Sequence, residues 1–198
     1  MSSVEVAYSI VGAGPPVYMV HGIGSCKATW EALIKDLRTA FTCVSFDLRG
    51  HGESPVTPVP YSLDELVEDL EALRQSLGHQ RIHVVGHSLG GQIGPAYART
   101  HPECVETVVL LSTVAGRTSE DSAKVKGVVA MMREKGVKPL LKLLINRWFT
   151  DEFVANSPDA VEARVKQVVE TPEEVFLNVF DIYADTEMLP WLLSLIHI

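Results

Sequence analysis

Residues 84–92 read VVGHSLGGQ, and this stretch decides the fold. Ser88 stands between Gly86 and Gly90 where the apolar run IHVV (82–85) gives way to a helical pattern extending to about His101. A strand that turns straight into a helix leaves no room for side chains two places before and after its apex, and glycine fills both places here. Such a turn lifts the Ser88 hydroxyl clear of the sheet and sets it at a helix N-terminus, where the dipole and free N–H groups favour developing negative charge. Ser88 is therefore the candidate nucleophile, and the Leu89 N–H a candidate donor to an oxyanion.

Working outward, VYMV (17–20), CVSF (43–46), HVV (83–85) and TVVLL (107–111) are short, β-rich and continuous rather than alternating, the pattern of strands buried on both faces. Helical patterns separate them at 29–37, 62–78 and 91–101. The second places Leu63, Leu66, Val67, Leu70 and Leu73 on one face, with Ser62 to cap its start and Gly78 to end it. Alternating strands and helices over residues 16–113 predict an α/β architecture, a mostly parallel sheet flanked by helices. VEVAYSIVGAGPPVYMV (4–20) reads as an antiparallel strand turning at GAGPP into the first parallel one. Its Gly-x-Gly has no third glycine and no following helix, which argues against a dinucleotide site. From about 118 to 188 only amphipathic helical segments appear, broken near Gly136, Ser157-Pro158 and Thr171-Pro172. The expected organisation is a core over 1–116, a helical cap over 117–188 above the strand ends, and a return toward the core at 189–192.

HGIGSC (21–26) follows the strand VYMV, so its glycine-rich backbone reaches the same edge of the sheet as Ser88. An N–H from this loop, assigned to Ile23, together with that of Leu89 would make a two-donor oxyanion hole. Composition narrows the alternatives. The chain has 198 residues, 46% of them hydrophobic, enough for one globular domain with a substantial core. A formal charge of −8 without clustered Lys and Arg argues against a nucleic-acid partner. No apolar run is long enough to span a bilayer, and the N-terminus lacks a signal-peptide pattern, so a soluble, cytoplasmic protein is expected. Cys26, Cys43 and Cys104 have neither disulfide nor zinc spacing and read as small core residues.

HGIG, FDLRGHGES (46–54) and GHSLGG, in this order, resemble the α/β-hydrolase superfamily, and the similarity covers residues 5–192. The serine at position 88 separates the chain from the branches that use aspartate there, the haloalkane dehalogenases and epoxide hydrolases. RWFTDEF (147–153) is similar to a stretch in 3-oxoadipate enol-lactonases and related carboxylester hydrolases. The resemblance implies the α/β-hydrolase fold and hydrolysis of a small carboxylic ester or lactone through a serine acyl-enzyme, without metal or cofactor. Carbon–carbon bond hydrolases, perhydrolases and non-catalytic binding members share the same motifs and stay open as alternatives. DLRGHGES implies a structural turn despite its Asp47, Arg49, His51 and Glu53. His21 is expected to order the oxyanion loop, and His87, adjacent to Ser88 on a sharp turn, to point away from it. Met131, Met132, Trp148, Phe149, Phe153 and Phe176 are the cap residues expected to line a small, slot-like acyl pocket, with packing inside the cap as the plain alternative.

In the superfamily the acid and histidine of the triad follow the cap, on the late strands. TEMLPWL (186–192) resembles the link leading back to the core, and Ser112, Thr113 and Val114 supply no acid after TVVLL. LSLIHI (193–198) departs from the family pattern and matches one reading frame of a transposon end sequence used in preparing DNA sequencing libraries, so it reads as a non-native tail. His197 in that tail has no acid to orient it as a base. On this reading the late strands are missing, ester turnover is almost entirely lost, and TVVLL becomes an exposed sheet edge. The 198-residue product is then expected to be poorly soluble or partly unfolded, and a melting curve with one sharp cooperative transition in a monomer would count against that expectation.

Overall fold

The computed structural model describes residues 3–195. Five strands, β1 (Tyr8–Val11), β2 (Pro16–Val20), β3 (Thr42–Phe46), β4 (Ile82–His87) and β5 (Val105–Leu111), form one sheet in the order β1-β3-β2-β4-β5. All neighbours are parallel except β1 with β3. The GAGPP segment therefore turns into β2 as expected, but β1 crosses over to pair antiparallel with β3 instead of forming a hairpin with β2. The other edge of β2 is taken by β4, so a hairpin with β1 would have had to displace one of its two parallel neighbours.

Side chains of β2 alternate between two apolar layers. Tyr18 and Val20 face a large core that includes Leu66 and Leu70 of α2 (Leu63–Ser76) and Ile93 and Tyr97 of α3 (Gly90–Thr100). Val17 and Met19 face a smaller one with Trp30 and with Ile34 of α1 (Glu31–Leu37). Helix α2 begins with the predicted cap in reciprocal form: Ser62 Oγ accepts from Glu65 N, and Glu65 Oε2 accepts from Ser62 N at 2.9 Å. The strand β5 departs from the buried pattern expected of TVVLL. It lies at the sheet edge, and Val109 and Leu111 are exposed because nothing among the described residues packs on its outer side.

After β5 the chain is helical: α4 (Ser119–Lys135), α5 (Leu141–Trp148), α6 (Asp151–Asn156), α7 (Pro158–Glu170), α8 (Glu173–Asp185) and α9 (Leu189–Leu195). The breaks at Gly136, Ser157-Pro158 and Thr171-Pro172 fall between these helices. Helix α9 continues through residues 193–195, whereas His197 lies outside the described residues. No helix among the described residues is long and apolar enough to cross a membrane.

Two loops at the C-terminal ends of β2 and β3 are locked to each other by imidazoles. His21, fully buried, donates from Nδ1 to Gly22 O at 2.8 Å and accepts the Leu48 N–H at Nε2 over 3.0 Å. His51, also fully buried, donates from Nδ1 to Arg49 O at 3.1 Å and accepts the Gly24 N–H at 3.1 Å. A carbonyl on one ring nitrogen and an amide N–H on the other fix the neutral tautomer of both rings. Burial holds the pKa of His21 down to about 3 and that of His51 down to about 4. The rest of DLRGHGES is equally structural. Asp47 accepts the amides of Lys27 and Glu53 and pairs with Lys27 Nζ at 2.9 Å. Arg49 grips buried Asp69 of α2 through Nε at 2.6 Å and Nη2 at 2.7 Å.

Two outcomes follow from this packing. A methyl on Gly90 would lie 2.1 Å from the Val20 carbonyl oxygen, backbone that cannot yield, whereas one on Gly78 meets nothing within 4 Å. Gly90→Ala is expected to cost more than about 4 kcal/mol in denaturant unfolding and Gly78→Ala about 1 kcal/mol, from its positive φ alone; equal costs would refute the close approach. Because His21 and His51 are neutral when folded but titrate near 6.5 when unfolded, their contribution is complete above pH 6.5 and is lost as pH falls toward 4 and then 3. Each histidine adds up to about 1.4 kcal/mol per pH unit to the slope of stability in that window. His51→Gln should flatten the slope, and a wild-type stability unchanged between pH 6.5 and 4 would contradict the assignment.

Candidate active site

The turn between β4 and α3 holds Ser88 with φ +55°, in the left-handed region that a serine adopts only under constraint. Its neighbours show why glycine is required. A methyl on Gly86 would stand 2.1 Å from the Gly90 carbonyl oxygen, and one on Gly91 would meet the Thr113 side chain at 2.6 Å. Hydrogen bonds hold the apex from both sides: Ser88 N donates to Leu111 O at 2.9 Å, and Ser88 O accepts Thr113 Oγ1 at 2.8 Å and Gly91 N at 3.0 Å. The backbone of the apex is thus fully engaged, while Ser88 Oγ makes no hydrogen bond among the described residues.

That hydroxyl opens into a cavity of about 720 Å³ between the strand ends and the helices α4, α5, α7 and α8. The core side of the wall is Gly22, Ile23, Ser25, His87, Ser88 and Ser112; the helical side includes Val125, Leu144, Trp148, Phe149, Arg164 and Phe180. Gly22 packs directly on the turn, since a methyl there would sit 3.0 Å from Ser88 Cβ. Ile23 and Leu89 are both buried, and among the described residues neither backbone N–H has a partner. One of these uncommitted amides belongs to Ile23 on the cavity wall, and the other to Leu89, next in sequence to Ser88.

Of the residues expected to form the acyl pocket, Trp148 and Phe149 line the cavity. Met131 does not. It sits on the outer face of α4, 37% exposed, while its neighbour Met132 takes the core position. Phe153 is also outside the wall, 40% exposed, and stacks on the back of Phe149 with ring centroids 5.0 Å apart. Phe176 is buried against Gly24 as packing. At 720 Å³ the cavity is also larger than a slot.

His87 lines the cavity, yet it makes no hydrogen bond to Ser88 among the described residues. Burial, reinforced by Arg164, holds its pKa below the usual histidine value. Other histidines are committed elsewhere: His79 Nδ1 is 2.8 Å from Tyr18 Oη, and His83 Nδ1 is 2.9 Å from Thr107 Oγ1. Among the described residues no group of three or more His, Cys, Asp or Glu side chains could hold a metal ion. The cavity wall carries Arg147 and Arg164 but no described aspartate or glutamate. Arg164 was missed from sequence, because one arginine in the amphipathic pattern of α7 reads as solvated surface. In the structure its guanidinium lies 4.3 Å over the Trp148 ring and binds the carbonyls of Ile23 and Gly24.

Comparison with known proteins agrees with this geometry. Residues 15–153 match the model of the alpha/beta hydrolase fold family. The chain is similar to 3-oxoadipate enol-lactonase 2 of Acinetobacter baylyi, 27% identical over 180 residues that cover 90% of the chain and 66% of the relative. An uncharacterised protein of Mycobacterium tuberculosis is 35% identical over 115 residues, 58% of this chain and 33% of that protein. The matched part thus spans between a third and two thirds of these relatives' lengths. A crystal structure of a hydrolase from Pseudomonas aeruginosa PA01 superposes with a TM-score of 0.84 at 28% identity, over 92% of this chain and 69% of that one. With its serine turn, its parallel sheet and a family match over most of its length, the chain belongs to the α/β-hydrolase fold family.

Proposed function

We propose that this chain carries the nucleophile and the oxyanion donors of a serine hydrolase acting on small carboxylic esters or lactones. The observation that carries the reading is Ser88, held on a left-handed turn in the cavity wall with no partner for its hydroxyl among the described residues, together with the uncommitted amides of Ile23 on the same wall and of Leu89 next in sequence. In the proposed reaction Ser88 Oγ attacks the carbonyl carbon. The N–H groups of Leu89 and Ile23 take the charge that develops on the carbonyl oxygen, the alcohol leaves with a proton, and water releases the acyl group from Ser88. Trp148 and Phe149 would flank the acyl chain, and a wall with two arginines and no described carboxylate favours a neutral or anionic substrate over a cationic one. The enol-lactonase relative supports the lactone end of this range.

Proton removal from Ser88 needs a base within hydrogen-bond reach, and no described side chain supplies one. We therefore assign the chain by itself a slow nucleophile. Labelling of Ser88 by a fluorophosphonate, mapped by peptide mass spectrometry, is expected to be slow and to accelerate about tenfold or more when imidazole is added as an external base. Ser88→Ala should abolish the label with and without imidazole. Label on another residue would sink the serine assignment, while rapid labelling without imidazole would show that a base is already in place.

A further inference from the structure

The Ile23 N–H is aimed from within its own loop, and the peptide that follows it is held by groups from two other segments. In a trans peptide the C=O and N–H point opposite ways, so whatever holds the Gly22 carbonyl aims the Ile23 amide. Gly22 O accepts His21 Nδ1–H at 2.8 Å and the Ser25 N–H at 3.3 Å. The next peptide plane is gripped from both ends: the Gly24 N–H donates to His51 Nε2 at 3.1 Å, and Ile23 O accepts Arg164 Nη2 at 2.7 Å. Gly24 O accepts Arg164 Nη1 as well. Two consecutive carbonyls of the loop are therefore held by one guanidinium from helix α7, 140 residues further along the chain.

Arg164 is an expensive side chain to keep in this place. It forms no ion pair among the described residues, and its charge is balanced only by the two carbonyl dipoles and the face of Trp148. Burial pushes its pKa down to about 10, so it stays protonated at neutral pH at a cost in desolvation. A methionine of similar length would fill the same space without that cost, which argues that the charge is retained for what it does to the loop. The surrounding packing has the same effect. Gly24, with φ +59°, is pressed so closely on Phe176 that a methyl there would lie 2.5 Å from the ring, and Ser25 Oγ donates to Gln167 of α7 at 3.4 Å.

We propose that Arg164 is a positioning residue that holds the Ile23 amide in line with the Leu89 amide, so that helix α7 completes the oxyanion site. The proposal rests on the reading of Ile23 N–H as an oxyanion donor. The two donors differ in how they are fixed. Leu89 N–H is aimed by its own turn, whereas Ile23, which bears the other N–H, is anchored to α7 through its own carbonyl. On this proposal a displacement of α7 frees the Ile23 carbonyl and loosens one donor, whereas Ser88 and Leu89 keep the bonds of their own turn.

Amide ¹⁵N relaxation and steady-state kinetics on Arg164→Met and Arg164→Lys separate this role from general stabilisation. In Arg164→Met the Ile23 order parameter is expected to fall from about 0.85 to below about 0.6, while Leu89 stays near 0.85. Saturable hydrolysis of p-nitrophenyl acetate, which oxyanion donors support to a measurable residual level even without a base, should lose about 10²-fold in kcat with KM within about twofold. Arg164→Lys, which keeps the charge and one donor, should recover at least about a tenth of the wild-type kcat. An unchanged Ile23 order parameter, or a rise in KM at constant kcat, would overturn the proposal. Absence of saturable hydrolysis by the wild-type chain is what the missing base predicts; the order parameters then decide the role of Arg164, and fluorophosphonate labelling of Ser88 decides the hydrolase reading.

Discussion

The Cα of Gly90 rests against the carbonyl of Val20 with no space for a single methyl between them. Most of the site depends on this contact. It brings the first turn of α3 onto the end of β2, and with Gly86 packed on Gly90 it forces the chain to reverse within two residues. Ser88 then has to take a left-handed conformation, which costs of order 1–3 kcal/mol and persists only because the surroundings over-determine it. The bonds to Leu111 and Thr113 provide that determination from β5 and its exit, so the turn is held by the neighbouring strand as well as by its own glycines.

This explains which parts of the molecule are legible in sequence. A local steric demand leaves a local signature, so GHSLGG reports both its strand-to-helix junction and the serine at its apex. The same holds for Ser62 and Glu65, whose reciprocal cap lies within one helical turn, and for the apolar runs of β2, β3 and β4, which are buried on both faces. Legibility fails where the determinant is tertiary. The partner of β1 depends on which edge of the sheet is free, a property of the assembled strands and not of VEVAYSIV. Met131 and Met132 are adjacent and chemically identical, and only the orientation of α4 sends one outward and the other into the core. Phe153 fails for a related reason: it stacks on Phe149, which lines the cavity, while Phe153 itself is not part of the wall.

The titratable residues near the loops illustrate the same division. DLRGHGES contains an aspartate, an arginine, a histidine and a glutamate within seven positions, a density of chemistry that invites a catalytic reading. In the folded chain Asp47 serves two backbone amides and a lysine, Arg49 closes on Asp69, and His51 is a neutral bridge between two loops. Asp47, Arg49 and His51 are thus engaged by protein partners and buried, while Glu53 lies at the surface against Lys27. Ser88 is the opposite case, a polar group at the floor of a cavity that the fold strains into position and then leaves unpaired. Unused capacity in a strained place distinguishes a site from a scaffold more sharply than residue type does.

Arg164 combines features of both. Its two terminal nitrogens are occupied, as in a scaffold, but by carbonyls of the loop that also carries the unpartnered Ile23 amide. The charge cannot be explained by pairing, since no carboxylate meets it among the described residues, and a neutral side chain would be the cheaper way to fill the space. The arginine bonds on the Ile23 and Gly24 carbonyls hold the two peptides that follow the Ile23 N–H, because each bond constrains a direction as well as a distance. On the role proposed for Arg164, the orientation of one donor depends on the docking of a helix that the sheet itself does not hold in place, so the helices above the strand ends would act through the backbone as well as through the shape of the pocket.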